Sequence, residues 1–226
     1  MRKLYALAIV MVCISAVSNA QISKGSTFLG GSVSLKKTSL KDETPPELGN
    51  NYSDWGISPQ FGKAIANNKI IGIFLDFTGS KQEYPNYSTQ PQIRKTESSS
   101  YGGGFFYRQY FPLSNHFYLF GEGSARIGFS KSEGSSDNVR ISEQKSVGFG
   151  LAVAPGISFA VTRKLHLELA MNDLFAVGYS SSDLQEFTTS GTVARSAKGN
   201  SFSAIANANA FSQLSVGLRW ILPSKQ

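Results

Sequence analysis

Eight ionisable side chains occupy positions from which they could act together: Lys36, Asp76, Arg108, Glu122, Arg126, His166, Glu168 and Arg219. Each lies in or beside a stretch in which apolar residues recur at every second position, and each falls in the intervening register. His166 and Glu168 are two residues apart, so an extended chain puts both on one face. An imidazole beside a carboxylate is the raw material of acid–base chemistry. Two residues of one strand fall short of a catalytic set, and a metal site would need three or four convergent ligands. No catalytic, cofactor-binding or metal residue is therefore assigned, and no cofactor is expected. The same groups suit a structural task better. Both signs are present on different segments, and buried charge is costly unless it is paired and hydrogen-bonded. The expectation is a polar network in which Arg108, Arg126 and Arg219 find Asp76, Glu122 or Glu168.

The elements that must position these groups are strands. Leu165, Leu167, Leu169 and Met171 alternate with His166, Glu168, Ala170 and Asn172, and Val147 to Phe159 alternates with Gly, Ala and Ser in the same way. Successive side chains on a strand point to opposite faces, so each segment has one greasy face and one polar or very small one. Eight candidate strands run approximately over 26–37, 53–65, 69–81, 100–111, 116–130, 145–160, 164–179 and 203–222. Pro59 and Pro155 mark bulges or local breaks in pairing. Gly102-Gly103-Gly104 and Gly121-Glu122-Gly123 lie inside strands and open no helix, so they read as curvature or close packing and not as phosphate loops.

The connections alternate in length. Short turns are expected at 66–68, 112–115 and 161–163, and long polar segments at 38–52, 82–99, 131–144 and 180–202. Four long and three short connections suit an eight-stranded meander with both termini on the short-turn side. Transmembrane barrels have short periplasmic turns and longer extracellular loops. Trp55, Tyr101, Phe111, Phe117, Tyr179 and Trp220 lie near strand ends, where aromatic rings suit bilayer interfaces.

Residues 1–20 read as a cleaved secretory signal peptide. Arg2 and Lys3 precede an apolar run from Leu4 to Val17, and Ser18 and Ala20 supply the small residues before a cut at Gln21. The run is too short for a membrane-spanning helix. The single cysteine, Cys13, lies inside it, which excludes disulfides and thiolate chemistry from residues 21–226. Without Arg2 and Lys3, 20 of the 22 basic residues remain against 15 acidic ones, a net charge of +5. That excess is scattered, and no contiguous basic face of the kind that binds nucleic acid is present. Residues 21–226 form one domain.

At this point the chain resembles the small eight-stranded outer membrane barrels of Gram-negative bacteria, similar to outer membrane proteins A and X. The resemblance rests on 25–35 (GSTFLGGSVSL), 57–62 (ISPQFG), 155–159 (PGISF) and 214–220 (LSVGLRW). It implies an all-β, eight-stranded antiparallel up-and-down transmembrane β-barrel at the cell surface. It also implies outer membrane lipid and lipopolysaccharide as surroundings, and periplasmic chaperones and the barrel assembly machinery as transient partners. Such barrels commonly end on an aromatic residue, whereas Leu222-Pro223-Ser224-Lys225-Gln226 follows Trp220-Ile221 here.

An eight-stranded barrel is only wide enough inside for side chains to fill it. The inward network thus reads as a plug, and the resemblance to outer membrane protein A implies a narrow gate as the other possibility. The expected function is non-enzymatic: a structural or surface-interaction role through polar loops such as 82–99 and 180–202, as a monomer with an unnamed extracellular ligand. One rival is a barrel-embedded lipid-modifying enzyme, like lipid A deacylases. Its only histidines would be His116 and His166, both just after short turns and so at the wrong end for outer-leaflet lipid. The other rival is a secreted lipocalin-like carrier with the apolar register turned inward.

Overall fold

A computed structural model describes residues 22–41, 49–86, 92–137, 139–171, 173–188, 190–206 and 214–223. The expected signal peptide with Cys13, the Lys-Asp-Glu-Thr-Pro-Pro stretch beyond Lys41, Tyr87 and the last three residues lie outside them. The described chain forms ten strands: β1 (Thr27–Lys41), β2 (Gly49–Ala66), β3 (Lys69–Asn86), β4 (Gln92–Pro112), β5 (Phe117–Ser136), β6 (Val139–Ala160), β7 (Leu165–Met171), β8 (Phe175–Phe187), β9 (Val193–Ala206) and β10 (Leu214–Leu222). All pairings are antiparallel, from β1 stepwise to β6, then β6 with both β7 and β8, β8 with β9, and β7 with β10. The β1–β10 pairing closes the sheet into a ring of eight strands.

Two expected strands are therefore each broken in two. The seventh, expected over 164–179, becomes β7 and β8, and the eighth, expected over 203–222, becomes the end of β9 plus β10. The cause is visible on β6. There the pairing ends with Val153 opposite Phe175 on β8 and resumes with Gly156 opposite Ala170 on β7. Pro155, which has no N–H to give to a ladder, sits in that gap. Two extra residues are accommodated on the facing chain, with Asp173 at φ 51°. An even insertion preserves the alternation, so β7 and β8 keep the same faces in and out. Pro59 acts more mildly. The β2–β3 ladder skips from Ile57/Phe77 to Gln60/Phe74 without changing register.

The short turns fall where expected. Asn67-Asn68 joins β2 to β3 with Asn68 at φ 62°, a conformation that asparagine tolerates. The chain before β1 tucks into this end. Ile22 is buried, its N–H donates to Asn68 Oδ1 at 2.9 Å, and its carbonyl accepts from the Asn68 N–H at 2.9 Å.

The long polar connections are mostly strand. β3, β4, β5 and β6 contain 18, 21, 20 and 22 residues, whereas crossing a bilayer takes about 9–11 tilted residues. The surplus forms tall two-stranded hairpins. Period-two patterning continues into these segments with Ser, Thr, Lys and Glu replacing apolar residues, so the hydrophobic signal ends while the hydrogen-bonded ladder goes on.

The greasy register faces out. Leu35, Phe105, Phe149, Leu151 and Trp220 are all more than half exposed, and their counterparts around the ring are exposed too. On β5 the apolar outward positions run from Phe117 to Phe129. At ~3.3 Å per residue and a tilt of about 40°, they span about 30 Å, the thickness of a bilayer core. Among the described residues no helix is long and apolar enough to cross a membrane; the crossing is made by strands.

Among the described residues, one stretch of wall is paired on one edge only. Pairing of β1 with β10 ends at Val33/Val216. Among the described residues, Ser34–Lys41 pairs only with β2 and β9 only with β8.

Candidate functional site in the barrel lumen

The inward register divides the lumen into two halves. Towards the short turns it is apolar: Phe28, Ile70, Phe74, Phe106, Tyr110, Tyr118, Phe120 and Ile221 pack with Ile22 into one buried cluster. The expectation of a polar inward face throughout is corrected here. The signal was present in the sequence as places where alternation gives way to continuous apolar runs, at Ile70-Ile71, Phe105-Phe106-Tyr107 and Phe117–Phe120. Both registers are apolar there, because one meets lipid and the other meets the opposite wall.

The ionic network lies on top of this floor. Arg108 on β4 and Glu122 on β5 are direct cross-strand neighbours. The Arg108 guanidinium donates to Glu122 Oε2 through Nε at 2.8 Å and contacts it through NH2 at 2.5 Å. Its NH1 reaches across the lumen to Glu168 Oε2 on β7 at 2.7 Å and to the Tyr110 hydroxyl at 3.1 Å. Its NH2 reaches Gln60 Oε1 on β2 at 3.3 Å. The Tyr110 hydroxyl in turn donates to Glu168 Oε1 at 2.5 Å. Arg219 on β10 completes the group. Its Nε lies 3.0 Å from Glu168 Oε2, close enough for an ion pair though not aligned as a hydrogen bond, and its NH1 donates to the Gly31 and Leu218 carbonyls. Arg108, Glu168 and Arg219 are each at most 3% exposed.

Two arginines face two glutamates, so the cluster is electrically balanced. It ties together β2, β4, β5, β7 and β10. Apolar rings surround the cations, with Phe120 4.5 Å and Phe28 5.2 Å from the Arg108 guanidinium carbon. Room for Arg219 is made by glycine: a Cβ on Gly30 would come within 2.6 Å of the arginine Cδ, and one on Gly217 within 2.8 Å of NH1.

The other four expected members lie elsewhere. Arg126 pairs with Asp173, at the break between β7 and β8, and not with Asp76, Glu122 or Glu168. A straight strand over 164–179 would have pointed Asp173 outward; the positive φ turns it in. Asp76 accepts from the Ser58 hydroxyl beside the Pro59 gap, with no arginine on it. Lys36 stands higher, with its ammonium 5.5 Å from the Tyr52 ring centre. His166 lies below the cluster, its Nδ1 3.1 Å from the Ser158 hydroxyl and its ring 5.4 Å from that of Tyr118. Tyr110, Gln60 and Asp173 were missed as members.

Above the plug, a cavity of about 340 Å³ opens, lined by Ser34, Ser58, Asp76, Ser100, Ser124 and Arg126 among others. Glu122 forms part of its floor. The cavity is rich in hydroxyls, and the buried ionic cluster lies beneath it.

The serine–histidine pair calls for a geometric test. Ser158 is fully buried and His166 is 3% exposed, with the Tyr118 ring packed against the imidazole. His116 sits in the exposed β4–β5 turn, packed near Phe159. Among the described residues, no group of three or more His, Cys, Asp or Glu is placed to hold a metal ion.

No protein-family model and no curated protein matches the sequence. The fold does have solved counterparts. The outer membrane protein OprG of Pseudomonas aeruginosa superimposes with a TM-score of 0.51 at 12% identity, over 89% of this chain and 98% of that one. A major outer membrane protein of Thermus thermophilus aligns at 11% identity and a TM-score of 0.39, over 88% of this chain and 99% of that one. Neisserial surface protein A aligns at 18% identity and a TM-score of 0.27, over 87% and 97%. The likeness to OprG shows the fold, a small β-barrel of the kind found among outer membrane proteins.

Proposed function

We propose that this outer membrane barrel is a non-conducting, non-enzymatic scaffold that carries tall polar hairpins above the membrane for structural or surface-interaction purposes. The observation that supports the reading is the ionic cluster packed across the lumen. Arg108, Glu168 and Arg219, each at most 3% exposed, lie with Glu122, Tyr110 and an aromatic floor between the upper cavity and the short-turn side. With permeation and buried-histidine chemistry disfavoured, the hairpins of β3–β4, β5–β6 and β8–β9 are the parts free to act. Binding residues concentrate on segments held by a rigid scaffold.

The reading includes export behind a cleaved leader at residues 1–20, delivery by periplasmic chaperones to the assembly machinery, and a monomeric barrel without nucleic-acid partners. Trp220, outward-facing near the end of β10, is suited to serve as the terminal aromatic signal.

Two measurements test it together. Protein refolded into planar bilayers is expected to show no discrete conductance, and lipid A from cells with and without the chain is expected to have the same acyl pattern by mass spectrometry. Regular conductance steps, or a changed acyl pattern, would contradict the scaffold reading. For the surface role, shortening the β3–β4 and β8–β9 hairpins should preserve heat-modifiable migration while altering adhesion of intact cells. Equal adhesion in full-length, shortened and null cells would count against it.

A further inference from the structure

The charged groups of the lumen pair off, and one carboxylate is left over. Arg108 and Arg219 are balanced by Glu122 and Glu168, and Arg126 by Asp173. Lys36 stands opposite Asp54 on the β1–β2 ladder, with its ammonium over the Tyr52 ring. Asp76 accepts from the Ser58 hydroxyl and, among the described residues, forms no ion pair. Its ladder neighbour on β4 is Gly102. The next inward cation up that strand is Arg94, about 26 Å away at ~3.3 Å per residue. Leu75 and Phe77, which flank Asp76, belong to the greasy outward band, so this carboxylate lies within the membrane-spanning part of β3. Ionisable residues in such spans are costly, and they mark places where a charged partner is met.

The space beside Asp76 has room for that partner. Asp76 lines the cavity of about 340 Å³, a volume at the small end of ligand pockets. The room comes from side chains that are absent: along the ladder from Asp76 the inward positions are Gly102, Gly128 and Gly148. One rung towards the outside they are Thr78, Ser100, Ser130 and Ser146, so β3 to β6 put no bulky group across the way in at that height. Ser34, Ser58 and Ser124 add hydroxyls to the cavity wall, each able to donate or accept. The Arg126–Asp173 pair is over a third exposed and offers further polar contacts. Phe74, two residues below Asp76 on the same face, supplies an apolar wall.

We infer that this chamber binds a small organic cation, with its ammonium on Asp76 and its hydroxyl groups on the serines around it. A bare metal ion is the poorer guest. Calcium takes about six to eight oxygens, and among the described residues no group of three or more His, Cys, Asp or Glu converges. A neutral sugar would satisfy the hydroxyls and leave Asp76 without a counter-charge. A primary ammonium on a polyhydroxylated skeleton, the chemistry of an amino sugar, meets both demands. The site is independent of the hairpins and gives the upper lumen a ligand of its own.

The test uses the whole barrel in an uncharged maltoside detergent at about pH 6, where an amine is charged. Glucosamine is the probe and amide NMR shifts are the readout. Saturable shifts are expected at Ser100, Gly102 and Ser124, and not at Asn68 in the lower turn. Glucose has a hydroxyl in place of the ammonium, and ethylammonium has no hydroxyls. Each should bind at least about tenfold more weakly, because a hydrogen bond to a charged group is worth about tenfold or more and a neutral one about two- to tenfold. Asp76→Asn keeps the side-chain shape and should weaken glucosamine by about tenfold or more. Asp183→Asn, in the outward register of β8, should leave it within about twofold. Ser124→Leu keeps Asp76 but fills the space, and should lose the probe as well. Heat-modifiable migration reports the folded barrel separately in every variant. The absence of saturable shifts, unchanged glucosamine binding in Asp76→Asn or in Ser124→Leu, equal binding of glucose, or displacement of the probe by an equal concentration of sodium chloride would each overturn the proposal.

Discussion

Arg108 and Glu168 show how much a buried ion pair depends on its company. Glu168 accepts from Tyr110 and Arg108 and also faces Arg219, so removing one of the charged groups leaves the cluster unbalanced in the lumen. Breaking such a pair costs about 3–5 kcal/mol. Glu168→Ala and Arg108→Ala are each expected to destabilise by about that much, measured as the shift in urea midpoint of refolding in detergent, and Arg126→Ala by less, since its pair with Asp173 is over a third exposed. Equal effects at Arg108 and Arg126 would contradict the plug. Outside the membrane, Glu133 behaves differently. The Lys131 ammonium that hydrogen-bonds it holds its carboxyl below the usual glutamate range. A depressed folded-state pKa means that the pair's contribution is present above the unfolded value and is lost as pH falls through the lower folded one. Exposure keeps that contribution small. A carboxyl NMR titration should show Glu133 returning to the ordinary range in Lys131→Gln. Period-two counting made the inward charges legible at this scale, but not their partners. Arg108 and Glu122 meet across one ladder, whereas Glu168 reaches them across the lumen, and which strands face each other there depends on stagger that no single strand encodes.

At the scale of elements, the strands were readable wherever apolar residues alternated, and their cores lie where expected. Their upper ends were not, because the hairpin extensions alternate polar with polar. Pro155 announced the broken pairing on β6, but not that the facing chain would insert two residues at Asp173. Backbone pairing makes a further prediction. Among the described residues, the upper half of β1 and all of β9 are paired on one edge only, while β4 and β5 are paired on both. Amide exchange in detergent should therefore be fastest in Ser34–Lys41 and Val193–Ala206 and slowest in the lower halves of β4 and β5. Uniform protection around the ring would mean that the seam is closed.

For the molecule as a whole, the direction of the greasy face decides everything else. Turned inward, the same alternation would make a soluble carrier; turned outward, it makes a membrane barrel. The sequence from residue 21 onward contains no cysteine, so single spin labels can be introduced without background. The most direct test is accessibility along β5 in bilayers, with labels at Ser124, Ala125, Arg126, Ile127, Gly128 and Phe129. Ala125, Ile127 and Phe129 should be open to oxygen and closed to a water-soluble nickel chelate, with a strict period of two. Oxygen access at Ser124, Arg126 and Gly128 instead, or chelate access at the odd positions, would contradict the outward-facing register and the barrel built on it.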